Sequence, residues 1–111
     1  MSNDTISYGG DRILTFYKDA KKLRAGKMVI PRMISCWLTH ICNLNCSYCL
    51  YTESHNEKYK DVVDTEKFFR FIDEIARLGV EGIEFGGGGE PTIHKDCFKI
   101  AKYAKDRKSV V

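Results

Sequence analysis

Three cysteines share one short stretch, Cys42-Asn43-Leu44-Asn45-Cys46-Ser47-Tyr48-Cys49, in the spacing C-x3-C-x2-C with an aromatic residue before the last thiol. Thiolates this close in sequence can converge on one metal centre. Three is one fewer than the four ligands that structural zinc sites and ordinary iron–sulfur clusters use. A centre held this way keeps one position open, where a second molecule can bind and be activated. Cys36 and Cys97 bring the total to five. An odd, clustered set suits metal or redox chemistry in a reducing compartment better than a disulfide framework. Cys36 falls in an apolar run and Cys97 opens a helix, so both read as buried thiols. His40 supplies a rival reading, a non-catalytic zinc module using His40, Cys42, Cys46 and Cys49. Thiol redox chemistry through Cys46 and Cys49 is weaker still, because such a pair works at a helix N-terminus without a third cysteine.

The second chemically suggestive segment is Gly86-Gly87-Gly88-Gly89-Glu90-Pro91. Glycines let the backbone approach a ligand with no side chain in the way. Glu90 adds an acceptor suited to an ammonium group. A dinucleotide fingerprint is poorly supported, because no acidic residue closes a following strand, and no Lys-Ser or Lys-Thr pair completes a P-loop. His94, just beyond, reads as a loop anchor rather than a catalytic group. Trp37 reads as core and His55 as exposed.

The elements that must position these residues follow from the pattern along the chain. Residues 1–10 are polar and expected to be loose. Asp11 is a candidate N-cap for a helix carrying Ile13, Phe16, Tyr17, Ala20 and Leu23 at helical spacing, with Gly26 as terminator. Pro31 precedes Met33–Leu38, a short, apolar, β-prone strand. A long polar connection covers 50–63. Asp64 or Thr65 caps a helix with the apolar stripe Phe68, Phe71, Ile72, Ile75 and Leu78, ended by Gly79. Val80–Phe85 reads as a second strand. A last helix runs from about Asp96 to Arg107 with Phe98, Ile100, Ala101 and Ala104 as buriable positions. Ser109–Val111 suggests the start of a third strand. Strands alternating with helices imply parallel βα units, whose ligands sit at the C-terminal ends of the strands. The cysteine stretch follows the first strand and the glycine run follows the second, so the two are expected to meet.

Cys42-x3-Cys46-x-Tyr48-Cys49 together with Gly88-Gly89-Glu90-Pro91 resembles the radical S-adenosylmethionine (SAM) superfamily, over roughly residues 30 to 107. The resemblance implies a [4Fe–4S] cluster on Cys42, Cys46 and Cys49, with SAM on the remaining iron. It implies that Tyr48 packs near the adenine and that Gly88, Gly89 and Glu90 receive the methionyl ammonium. Reductive cleavage of SAM would then give a 5′-deoxyadenosyl radical that abstracts hydrogen from a substrate, with a flavodoxin- or ferredoxin-like electron donor as partner. The substrate itself is unspecified, a peptide being one candidate. The implied fold is α/β: the N-terminal βα units of a partial (β/α)6 TIM-like barrel with parallel strands. On this reading residues 1–32 form an N-terminal extension with one helix, and 33–111 the N-terminal portion of the core domain. Only two βα units are present, so a truncated core, inactive by itself, is expected.

Bulk properties agree with a small globular domain. The chain has 111 residues, 43% hydrophobic and 30% charged, with a net charge of +3, which argues against disorder over its whole length. Lys95, Lys99, Lys102, Lys105 and Lys108 alternate with apolar positions and read as a solvated helix face rather than a nucleic-acid surface. No apolar run reaches the length of a membrane span, and the first residues lack the pattern of a signal peptide. A cytoplasmic protein is expected.

Overall fold

The structure is a computed structural model that describes residues 16–51 and 60–107. The expectations for residues 1–15, including Asp11 and Ile13, for His55, and for the strand start at 109–111 lie outside the described residues. The chain divides into two compact units, Met1–Ile30 and Pro31–Val111. In the first, helix α1 spans Tyr17–Arg24. It stops where Gly26 turns to φ +70°. The N–H of Gly26 then reaches Leu23 O at 2.9 Å and that of Lys27 reaches Lys22 O at 2.9 Å, the paired bonds of a Schellman ending.

The second unit contains strand β1 (Met33–Cys36), helix α2 (Thr65–Leu78), strand β2 (Gly82–Phe85), a single 3-10 turn (Pro91–Ile93) and helix α3 (Cys97–Asp106). β1 and β2 form a two-stranded parallel sheet in the register Met33↔Gly82, Ile34↔Ile83, Ser35↔Glu84 and Cys36↔Phe85. This is a mixed α/β arrangement with parallel strands, as the alternation implies. Asp64 caps α2, its carboxylate accepting from the Lys67 N–H at 2.9 Å. Gly79 ends α2 at φ +94°, and Val80 N–H returns to Ile75 O at 3.0 Å.

Both strands are shorter than the sequence suggests. β1 stops at Cys36 because the next residues change partners: Val63 N–H donates to Leu38 O at 2.9 Å, and Thr39 bridges Val62 in antiparallel sense. β2 starts late because Val80 is spent on the helix ending, while the N–H groups of Glu81 and Gly82 both converge on Arg32 O at 2.8 and 2.9 Å.

The core is made by Leu38, Phe68, Ile72, Ile75, Val80, Ile83, Cys97, Ile100 and Ala104. α2 contributes one face of its stripe, and α3 packs against it. Two expected core positions face out instead. Leu78 lies in the last turn of α2 and is 57% exposed, and Phe98 is 78% exposed. The buried stripe of α3 is Cys97, Ile100 and Ala104, and at 3.6 residues per turn Phe98 falls off that line. Cys97 is buried as expected and Cys36 half-buried. Burial raises the pKa of both thiols, so neither offers a ready thiolate.

Beyond the apolar contacts, α2 and α3 are tied at both ends. Thr65 Oγ1 donates to Asp96 Oδ2 at 2.6 Å. At the far end Arg107 Nε bonds Asp73 Oδ1 at 2.6 Å and Tyr103 donates its hydroxyl to the same carboxylate. The Tyr103 ring stacks on Phe69 with centroids 4.1 Å apart.

Candidate functional site

The cysteine stretch leaves the sheet through a braced neck. Thr39 Oγ1 donates to Asp61 O at 3.1 Å and accepts from Ile41 N–H at 3.0 Å, while His40 N–H bonds Asp61 O at 3.0 Å. Asp61–Val63 therefore runs beside Leu38–His40 and fixes where the stretch begins. Beyond it a turn closes from Cys49 N–H to Cys46 O at 3.1 Å, bringing the second and third thiols to one side. The backbone also turns toward sulfur. Leu44 N–H donates to Cys42 Sγ and Tyr51 N–H to Cys49 Sγ, each at 3.4 Å.

The glycine run lies against this neck, and three of its four glycines are sterically required. Gly87 sits at φ +106° beneath the Trp37 indole, where a Cβ would overlap Cγ, Cδ1 and Nε1 of the ring. A Cβ on Gly88 would stand 2.7 Å from His40 Cδ2. One on Gly89 would strike Ile41 O and lie 2.7 Å from Thr39 O. Gly86 alone has open space around it. The run is thus shaped by close packing, and Glu90 N–H bonding to Ile41 O at 3.0 Å holds its end. Glu90 Oε1 accepts from the Thr92 amide at 3.1 Å and the Thr92 hydroxyl at 2.6 Å. These bonds hold its carboxyl below the usual glutamate range, the hydroxyl bond first and the amide bond second.

Cys42, Cys46 and Cys49 meet Gly87, Gly88, Gly89 and Glu90 around one cavity of about 140 Å³, with Leu44 as the remaining lining residue. Two predicted site residues are not part of it. Tyr48 is 84% exposed and His40 lies behind the glycines, edge-on to Trp37 and with Nδ1 4.0 Å from the Asp61 carboxylate. Among the described residues no three His, Cys, Asp or Glu side chains are arranged to hold a single metal ion. A lone zinc draws its sulfurs in to about 2.3 Å, whereas a four-iron cluster carries thiolates on separate corners. Three thiols around an open cavity, two of them accepting backbone N–H groups, fit the cluster as a donor set.

His94 is 3% exposed. Its Nδ1 accepts from Asp96 N–H at 3.1 Å, so Nε2 carries the proton and donates to Val63 O at 2.8 Å. It anchors the end of the turn to Asp61–Val63, the strap beside the neck, as expected. Trp37 corrects the sequence reading. It is 44% exposed and packs on the glycine run instead of in the core. Neither its contact with Gly87 nor the Thr92–Glu90 pair was foreseen. Only the glycine run itself hinted that some bulky neighbour had to be accommodated.

The sequence that builds this site has known counterparts. Residues 38–110 match the family model of the radical SAM superfamily, and the chain belongs to that superfamily. It is 32% identical over 111 residues to Fe-coproporphyrin III synthase of Methanosarcina barkeri, covering 95% of this chain and 25% of that protein. It is 34% identical over 77 residues to PqqA peptide cyclase of Bradyrhizobium diazoefficiens, covering 69% and 20%. With GTP 3′,8-cyclase of Haemophilus ducreyi it shares 35% over 69 residues, covering 59% and 19%. The chain thus spans a quarter or less of the length of these relatives. No solved structure is a significant match. No helix among the described residues is long and apolar enough to cross a membrane.

Proposed function

We propose that Cys42, Cys46 and Cys49 hold a [4Fe–4S] cluster and that Gly88, Gly89 and Glu90 receive the methionyl group of SAM beside it. The observation that carries this reading is the shared cavity, lined by all three thiols and by the glycine–glutamate run. When bound, the cluster and SAM supply reductive cleavage to a 5′-deoxyadenosyl radical that abstracts hydrogen from a substrate. This chain's residues bind and orient. The N–H groups of Leu44 and Tyr51 are directed at Cys42 Sγ and Cys49 Sγ. Gly88 and Gly89 keep the approach clear of side chains. Glu90, fixed by Thr92 and ionised, offers its remaining oxygen to an ammonium. Tyr48, exposed in the cysteine stretch, is assigned to the adenine.

Relatives named for a coproporphyrin, a peptide and GTP all match this chain. Names this different support reading the chain as a radical-generating part, with the choice of target made elsewhere. A peptide remains the candidate substrate, named for PqqA peptide cyclase, with a flavodoxin- or ferredoxin-like protein as electron donor and the cytoplasm as location.

The test is anaerobic reconstitution with iron and sulfide, followed by reduction in the presence of SAM. The expected result is a brown protein with about four irons per chain that binds SAM. A colourless protein retaining one zinc would overturn the assignment.

A further inference from the structure

Trp37 is the only tryptophan in the chain, and it touches the glycine wall of the cavity and Tyr51, two residues beyond Cys49. One face of its indole covers Gly87. Its ring meets His40 edge-on at 5.5 Å and 84°, and Tyr51 at 5.5 Å and 74°. His40 in turn lies over Gly88, and the Tyr51 amide bonds Cys49 Sγ. The indole thus stands between the glycine wall and the residue that follows the thiol wall.

Four consecutive glycines have more backbone freedom than any other sequence, and that freedom must be lost before their amides and carbonyls can meet a ligand. The backbone of Thr39–Ile41 confines the run from one side. From the other side the confining group is Trp37. A run already immobilised on folding loses less entropy on binding.

We infer that Trp37 is a positioning residue that sets the glycine wall for SAM, so that affinity for SAM depends on it while cluster assembly does not. This rests on the SAM reading above and extends it to a residue outside both motifs.

The experiment compares the full chain, Trp37→Phe and Trp37→Ala after anaerobic reconstitution. It reads iron and sulfide content, SAM affinity by calorimetry, and the change in the reduced cluster's paramagnetic resonance spectrum when SAM is added. Trp37→Ala should retain iron and sulfide but bind SAM about 10-fold or more weaker, as expected when a ligand wall loses its support. Trp37→Phe should restore most of that affinity, because a smaller ring can still cover Gly87. Gly87→Ala, which attacks the same contact from the other side, should keep its iron and lose SAM binding.

Unchanged SAM affinity in Trp37→Ala would overturn the inference. So would loss of iron in step with SAM, since the residue would then hold the cysteine stretch together, and so would a Phe variant as weak as the Ala one. An iron-loaded parent chain that binds no SAM would instead refute the SAM reading itself.

Discussion

Gly87, Gly88 and Gly89 each answer to a different neighbour and Gly86 to none, so substitutions there should differ sharply. Gly89→Ala drives a methyl group into the backbone of Thr39–Ile41, which cannot give way without opening the neck. It should cost several kcal/mol, of the order of ~3, and be visible as a lowered melting temperature even without iron. Gly86→Ala meets nothing and should leave stability within about 0.5 kcal/mol. Thr92 should matter through Glu90. Because Thr92 depresses the Glu90 pKa, that contribution is complete above the unfolded carboxyl's pKa and fades as pH falls through the depressed folded value. In Thr92→Val the Glu90 carbon resonance should titrate nearer the ordinary glutamate range; an unshifted titration would show that the hydroxyl does not hold the charge. The cysteine spacing and the Gly-Gly-Glu run were legible in the sequence because they impose local chemistry. The partners Trp37 and Thr92 were not, because nothing in a residue's own type says which glycine its ring will cover. Tyr48 stands 84% exposed, and its assignment to the adenine rests on its place in the motif.

At the level of elements, local signals were read well wherever backbone bonding decided the outcome. Asp64 at the start of α2 and the glycines after α1 and α2 behave as their residue types dictate. Asp64→Ala removes the bond to Lys67 N–H and should cost about 1 kcal/mol in chemical denaturation. The strand ends were misread because tertiary bonding took over: Leu38 and Thr39 turn to the Asp61–Val63 strap, and Arg32 O collects two amides. The clasp between α2 and α3 also escaped pattern reading, since Asp73, Tyr103 and Arg107 meet only after folding. Hydrogen bonds from Arg107 and Tyr103 lower the Asp73 pKa, and one from Thr65 lowers that of Asp96. Both groups favour the folded state fully above the unfolded carboxyl pKa and lose that effect as pH falls through their depressed values. The sites are exposed, so each effect is small. Asp73→Asn should flatten the acid side of the stability profile slightly; a steeper profile would contradict the clasp.

At the scale of the molecule, the parallel pairing of β1 and β2 sends both chemical segments out of the same sheet end, and a core of Ile72, Ile83, Ile100 and Leu38 supports them from below. Ile72→Ala should cost about 2–5 kcal/mol, a large share of a small domain's stability. Cluster loading should act in the opposite direction, because a group bound only by the folded chain stabilises it. The melting temperature should rise on reconstitution and fall back when iron is chelated away. The alternation of strands and helices made this convergence readable in advance. What it could not supply was the strap, whose residues look like ordinary polar linker. That strap has a consequence for how the chain can change. Its bonds from Asp61 and Val63 to Leu38 and His40 pin the chain beyond the cysteine stretch to the neck where that stretch begins, much as a drawstring gathers a bag at its mouth. Sequence added between these two anchor points therefore costs only loop-closure entropy, roughly 0.6 kcal/mol per doubling, while the neck keeps its bonds.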